Sequence, residues 1–562
     1  QSLARDAHGN IVMATERDGG TTLSEYDERS RLTARVTPTG ARIETRWDGR
    51  DRIVAVTVDA DGRPATTTFH YRDDERDPHA VTDAEGGTTT FTWSDGLMTS
   101  TTDPEGVRFT LRHDAHGDII AFADGDGNEA TLERDEAGRI VASTTPLGHR
   151  STYTWTGEVL TSHTDPDGAT WRYEHTPAGR IVAVIDPLGG RTSYTHGDSG
   201  DTTRVTDPLG RTTHRVIDVL GNVAGIELPD GSRWEFTHDN LSRLVATLDP
   251  EGGQWRAEYD VNGLVSRTTD PTGREHIVRR SADRVIVRTG SAREDGPHST
   301  MVTDRIGRIT SVTRPGQGNL LTRYDLTGRP VEYVDAEGHA TTMRRDSAGR
   351  VVLLERPDGS SMAYTYDSRG KLASVTDGNG ATTTFTFDAD NRLTAETGPT
   401  GDAITYEYDA CGRVIAQHRP GEGRTSWTYD AAGRIVATRS RLWGTRRFTY
   451  DASGQLVEAR DALGGVTRFG YDTLGRAVEV TDPLGHTIRR VFNGRDQLVE
   501  ETDALGRVAR FGHDAAGRLS WHESPTGDRT SWSYDADGAL AEVSSNGRTV
   551  ASHARDLATN TL

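Results

Sequence analysis

The chain has 562 residues, with 85 acidic residues against 65 basic ones and a formal charge of -20. A surface this acidic lacks the basic stripe that a nucleic-acid backbone demands, and no apolar run approaches the roughly 20 residues of a membrane helix. A single cysteine, Cys411, excludes an intrachain disulfide, and the apolar content of 33% points to disorder unless the aromatic and β-branched residues are regularly placed.

They are. From Arg5 onward one phrase returns about every 21 residues. A fixed period over this length signals an array of one small unit, so residues 1–562 are expected to form a single repeat array. Each unit opens on an aromatic slot, which Trp47, Tyr71, Trp93 and His113 fill early in the chain. The last three are slightly out of phase, so the spacing is irregular over 60–115. His175, Ile217 and His238 then stand where other units have tyrosine. A second irregular stretch covers 281–303, where Ser291–His298 has loop composition and the slot at Thr303 is displaced. From Tyr324 the copies run in strict phase through Arg345, Tyr366, Phe387, Tyr408, Tyr429, Tyr450, Tyr471, Phe492, His513 and Tyr534.

The phrase contains two turn signals. The first follows the aromatic. It reads Tyr324-Asp325-x-x-Gly328-Arg329, Tyr366-Asp367, Tyr408-Asp409-Ala-Cys411-Gly412-Arg413, Tyr429-Asp430-Ala-Ala-Gly433-Arg434, Tyr450-Asp451-x-x-Gly454 and Tyr471-Asp472-Thr-Leu-Gly475-Arg476. Asp accepts backbone N–H groups in an Asx-turn, and Gly supplies a positive φ. The second signal comes about ten residues later. It reads Asp186-Pro187-Leu-Gly189, Asp207-Pro208-Leu-Gly210 and Asp482-Pro483-Leu-Gly485, with further Asp-Pro pairs at Asp103, Asp165, Asp249 and Asp270. Proline presets φ for a turn and cannot donate to a central ladder.

Between the turns, runs such as Thr425-Ser-Trp427-Thr-Tyr429 alternate aromatic with polar, the period of a strand with one buried face. Each unit is therefore predicted to be a β-hairpin, and no window carries sustained helical periodicity. About 27 units imply about 50 strands and a ribbon roughly 250 Å long. Open sheets of that size curl, and strand twist has a fixed hand. The expected fold is all-β: tandem hairpins in a long antiparallel ribbon, coiled into a spiral, hollow barrel or shell. The arginine after the turn glycine is read as a lock between neighbouring units through Arg–Asp and Arg–aromatic contacts, rather than as a ligand-binding row.

These repeated Tyr-Asp-x-x-Gly-Arg phrases resemble the YD repeats of the Rhs (rearrangement hotspot) family, which also occur in teneurins and in the B and C components of bacterial Tc toxins. The resemblance covers essentially the whole chain. It implies a β-ribbon that spirals into a hollow shell, and in bacterial members a shell around a C-terminal toxin delivered to another cell. It implies partners within the same polypeptide, namely the toxin cargo and an N-terminal delivery region, and a secreted or cell-surface location. Lys371 is the only lysine among the 65 basic residues. Such arginine bias suggests GC-rich coding and a high-GC bacterium. The sequence departs from toxin-bearing members in one respect. The self-cleavage motif Pro-x-x-x-x-Asp-Pro-x-Gly-Leu is missing; Asp482 has Ala477 five residues before it and His486 after its glycine. The chain starts inside a unit at Gln1 and stops inside another at Thr559–Leu562, so a section of a longer protein is expected, and self-cleavage is not assigned to these residues.

Several fragments mimic other chemistry. Gly197-Asp198-Ser199-Gly200 matches part of a serine-protease motif but occupies a repeat turn and has no ordered His and Asp partners by spacing. Asp124-Gly-Asp126-Gly-Asn128-Glu129 and Asp377-Gly-Asn379-Gly380 resemble acidic calcium loops but fall on the second turn. His113, His116, His175, His196 and His238 lie at or near slots and turns, which reads as substitution for tyrosine rather than metal ligation. No nucleotide-type glycine fingerprint is present, and no cofactor or metal is expected. The expected function is a non-catalytic shell or scaffold for a C-terminal toxin. The alternative is a cell-surface adhesion array whose aromatic rows bind glycans or a protein partner.

Overall fold

The computed structural model describes residues 2–16, 19–73, 75–281, 285–289, 298–314, 316–535 and 538–552. Of the loop expected over Ser291–His298 only His298 is described, and it opens the strand His298–Thr303; Gln1 and the end of the chain from 553 also lie outside the described residues. The rest is one sheet of 53 strands, from Ser2–Arg5 to Arg548–Ser552, without a helix among the described residues. Each strand pairs antiparallel with the next in sequence, as in the first pair, Ser2–Arg5 with Ile11–Thr15, and the last, Leu540–Ser545 with Arg548–Ser552. The first and last strands do not pair with each other, so the ribbon stays open.

A side chain alternates faces along a strand, so an odd repeat of about 21 residues would turn the ribbon over once per unit. A β-bulge prevents this. Tyr408 pairs with Val414 and Glu407 with Ala416, leaving Ile415 as the extra residue. The same shift follows Tyr429, Tyr450 and Tyr471. Bulges also add twist, which favours coiling. At Tyr71 and Arg280 the strand pairs carry no such shift. These are the two stretches where the sequence period slips.

The coil is visible in hydrogen bonds between distant units. The Ser347 amide donates to Glu105 at 2.9 Å across 242 residues, and the Leu326 amide donates to Glu85 at 2.7 Å across 241. One coil thus takes about eleven and a half units, or about 23 strands. The half unit has a simple cause. First turns lie on one edge of the ribbon and second turns on the other, and opposite edges meet. At about 4.8 Å per strand the coil is roughly 110 Å round and 35 Å across, before strand tilt widens it.

The wall is thin. The accessible surface is 31546 Å², whereas a compact globule of 61.2 kDa would expose about 20,000 Å². No large side chain is fully buried among the described residues, and the buried apolar residues are all alanines. Ala34, Ala142, Ala183 and Ala416 recur at one position of the unit. Ala183 lies opposite Glu174 on one neighbouring strand and Ser193 on the other. Over it Glu174 and Arg191 close an ion pair at 2.8 Å, as Glu25–Arg42, Glu133–Arg150 and Glu407–Arg424 do over their alanines. Small size at this position lets a charged pair span an intervening strand.

Ala183→Leu should therefore split the Glu174–Arg191 pair and cost about 1–3 kcal/mol locally. Amide exchange of strands Thr170–His175 and Arg191–His196 should accelerate, and unchanged exchange there would contradict this packing.

Candidate functional site

The repeat motif builds one turn, used on both edges. In the first turn of the Tyr408 unit, Asp409 Oδ1 accepts the amides of Cys411 and Arg413 at 3.0 and 2.9 Å. Its Oδ2 accepts Arg413 Nε at 2.6 Å. The Gly412 amide closes the turn on the Asp409 carbonyl, with φ at 81°. Asp430–Gly433–Arg434 and Asp472–Gly475–Arg476 repeat this set of bonds. Asp325–Gly328–Arg329 differs in one bond, because Thr327 donates its hydroxyl to the carboxylate in place of its amide. Asp451 and Gly454 form the turn with Gln455 in place of arginine, and Asp367 does so with Lys371.

The proline turns are the same structure. Asp186 Oδ1 accepts the amides of Leu188 and Gly190, both at 2.8 Å, and Gly189 closes on its carbonyl. Asp207 and Asp482 act likewise, with Gly210 and Gly485 at positive φ. Pro187, Pro208 and Pro483 occupy a turn position where no N–H is called on.

The slot residue locks each unit to the one before it. The hydroxyls of Tyr324, Tyr366, Tyr408, Tyr429, Tyr450 and Tyr471 donate to the carbonyls of Ile309, Val351, Leu393, Val414, Ile435 and Leu456 at 2.7–2.8 Å. Each acceptor lies 15 residues upstream. Trp47 and Trp155 do this through Nε1, and Arg345 through its guanidinium. His196 places Nε2 2.7 Å from the Ile181 carbonyl. Most slot residues are thus long side chains with a donor at the tip, while Phe387, Phe492 and Ile217 fill the slot without one. The Arg–Asp pair closes inside the turn, and Arg31 and Arg476 also reach Asp51 and Asp496 of the next unit at 2.6 and 2.9 Å. The same guanidinium then stacks on the next ring: Arg413 on Tyr429 at 4.9 Å, Arg434 on Tyr450 at 4.8 Å and Arg476 on Phe492 at 5.3 Å.

The seam between coils is the site that sequence reasoning missed. Second turns of the first coil meet first turns of the second. Asp126 pairs with Arg369 at 3.1 Å and with Ser368. Asp390 accepts Thr145, the Leu147 amide and His149 at 2.9–3.0 Å. Asp249, 2% exposed, pairs with Arg495 at 2.5 Å, and Glu251 accepts the Gly494 amide at 2.9 Å. Gly125 is needed here, because a methyl group would run into the Ser368 carbonyl. An acid two residues after the turn aspartate, as at Glu85, Glu105, Asp126 and Glu251, was the available signal. It was unreadable without the offset of about eleven and a half units.

At one step of the seam Asp165, Asp167 and Cys411 place their ligand-type atoms within 4.8 Å of one another, beside Arg413. Burial, then the Asp167 carboxyl, pushes Asp165 up to about 6. The hydrogen bond with Asp165 is the main cause that holds Asp167 down at about 2. Burial pushes the Cys411 thiol up to about 11, so it is a poor nucleophile. Arg413 supplies the counter-charge, which makes this a structural contact. The mimics dissolve in the same way. Ser199 bonds Asp201 at 2.6 Å, while Asp124 and Asp377 spend Oδ1 on their own turn amides.

A coiled antiparallel ribbon with a thin, doubly wetted wall and a charged seam defines a repeat-built shell protein. The RHS repeat model matches residues 113–155, 156–192, 218–254, 324–361, 366–403, 387–424, 408–442, 450–487 and 492–520, more than half of the chain. The chain belongs to the RHS repeat family. Among solved structures it is similar to TcdB2-TccC3, at 15% identity and a TM-score of 0.66 over 98% of this chain and 38% of that one. TcdB2-TccC3-Cdc42 gives 13% and 0.66 over 97% and 40%. The Tc holotoxin pore of Photorhabdus luminescens gives 14% and 0.64 over 98% and 39%. The chain thus spans about two fifths of these structures, and at such identities the likeness is one of fold. No curated protein sequence matches it.

A raised aspartate binds its proton more tightly in the folded state than at the ordinary 3.8. Its contribution favours the fold below about pH 4 and is lost as pH rises through 6. Asp165→Asn should accordingly raise the melting temperature at pH 7.5 and flatten its change between pH 5 and 7.5. A variant less stable than the parent at pH 7.5 would contradict the reading.

Proposed function

We propose that this chain is the wall of a container: a non-catalytic Rhs shell that encloses or scaffolds a C-terminal toxin or effector of a larger secreted polypeptide. The observation that carries the proposal is the wall itself. It exposes far more surface than a compact globule, buries no large side chain among the described residues, and seals one coil to the next through carboxylates. A protein built to bind at a pocket would concentrate apolar area in one place. Here the repeated residues are consumed by turns and unit-to-unit bonds, which suits enclosure. No helix among the described residues is long and apolar enough to cross a membrane. The partners are the remaining parts of the same polypeptide, with the cargo segment inside and a delivery region outside. The likeness to TcdB2-TccC3 supports the shell architecture for a chain of this family.

Limited proteolysis of the intact parent polypeptide, with cryo-EM of the same sample, tests the proposal. The cargo segment should resist protease until the shell is unfolded, and density should surround a lumen. A solid particle, or a downstream segment cut as fast as in isolation, would sink it.

A further inference from the structure

One cavity interrupts the seam, at a place where the repeat itself is broken. It measures about 820 Å³, within the roughly 300–1,000 Å³ of small-molecule sites. The second turns at 59–64 and 83–86 line it from the first coil, and the first turns at 304–307 and 325–328 from the second. Seam contacts flank it on both sides: Thr39 donates to the Arg305 carbonyl, and Glu85 accepts the Leu326 amide. Small side chains leave the space. Val56 and Val58 stand opposite Thr67 and Ala65 in their strand pair, and all four line the cavity. In the second coil Thr322 lies two residues before the slot, where Tyr364, Phe385, Tyr406, Trp427, Phe448 and Phe469 stand in later units. Tyr324 lines the cavity too, with the Arg308 guanidinium stacked on its ring at 4.9 Å.

The charged groups around the cavity are matched except for one. Asp304 pairs with Arg308 at 2.5 Å, Asp325 with Arg329 at 2.9 Å and Arg323 with Glu332 at 2.6 Å. Asp61 lies 3.7 Å from Arg305, and Asp83 3.9 Å from Arg329. The Arg63 guanidinium has no hydrogen bond or ion pair among the described residues. The reason is local. In regular turns the arginine after the glycine is held by the aspartate four residues back, as Asp207 holds Arg211 at 2.5 Å. The turn before Arg63 is one residue shorter, because Asp59 pairs with Pro64 whereas Thr397 pairs with Ala403. Asp59 spends its Oδ1 on the Gly62 amide at 2.6 Å, and Arg63 is left to the cavity that it lines.

We propose that this cavity binds a small aromatic carboxylate. Its ring system packs against Val56, Val58 and Tyr324, in the space that a large side chain at Thr322 would take. Its carboxylate meets the Arg63 guanidinium, whose planar fork matches a carboxylate through two parallel hydrogen bonds. The acidic groups nearby are already neutralised by their own arginines, so they do not oppose an anion at this point.

Isothermal titration calorimetry of the 562-residue chain with 2-naphthoate, and with the neutral 2-naphthamide, tests this. One molecule should bind per chain, the carboxylate at least about tenfold more tightly than the amide. Arg63→Gln should remove that difference by weakening 2-naphthoate alone. Thr322→Trp should abolish binding of both, because it fills the cavity; Trp427 occupies the same place in its own unit. Thr67→Phe fills the cavity from the first coil and should do the same, and circular dichroism confirms that each variant keeps the sheet. Absence of saturable 2-naphthoate binding up to about 2 mM overturns the proposal. So does binding that both filling variants leave intact, or a preference for the carboxylate that survives Arg63→Gln.

Discussion

Most turns of this molecule depend on one carboxylate. The turn aspartate accepts two backbone amides that would otherwise face water unpaired, and in many units it also fixes the guanidinium four residues on, as Asp409 fixes Arg413. That guanidinium becomes the floor for the ring of the next unit. The ring then donates back to the strand before it. Turn, arginine and ring thus form a chain of short-range bonds that carries each hairpin into the next without a packed core. Such a wall can be extended unit by unit, because each unit contacts mainly its neighbours.

The coil adds the long-range term. Units in adjacent coils meet at about half-integer spacing because opposite ribbon edges face each other. The contacts are mostly charge-assisted: Asp126 with Arg369, Asp249 with Arg495, Asp390 with His149. Such bonds are directional and set register, whereas apolar contact would tolerate slippage. The acidic character of the chain thus has a place to act, at the seams and turns, rather than serving solubility alone.

Much of the fold was legible in the sequence. The period, the two turns and the alternation in runs such as Thr425–Tyr429 depend on residues within one unit, and local chemistry determines them. The bulge at Ile415 was not legible, since a bulged residue is as apolar as its neighbours. Nor was the equivalence of the two turns, because proline in Asp186-Pro187 looks like a different turn type while the hydrogen bonds are the same. The seam was hidden most deeply. Every unit looks alike, so nothing in Glu105 points to Ser347 rather than to Ser368. Asp126 reads as part of a calcium loop in the sequence because its partner, Arg369, stands 243 residues away (369 − 126).

The ribbon coils with an offset of about eleven and a half units. Paired cysteines at Glu105 and Ser347, in a Cys411→Ser background, measure it most directly. Mild oxidation should cross-link Glu105→Cys to Ser347→Cys rapidly in the native protein and not after unfolding, while Glu105→Cys paired with Ser368→Cys, one unit out of register, should remain reduced. An absent native cross-link, or equal cross-linking of the two pairs, would contradict the coil.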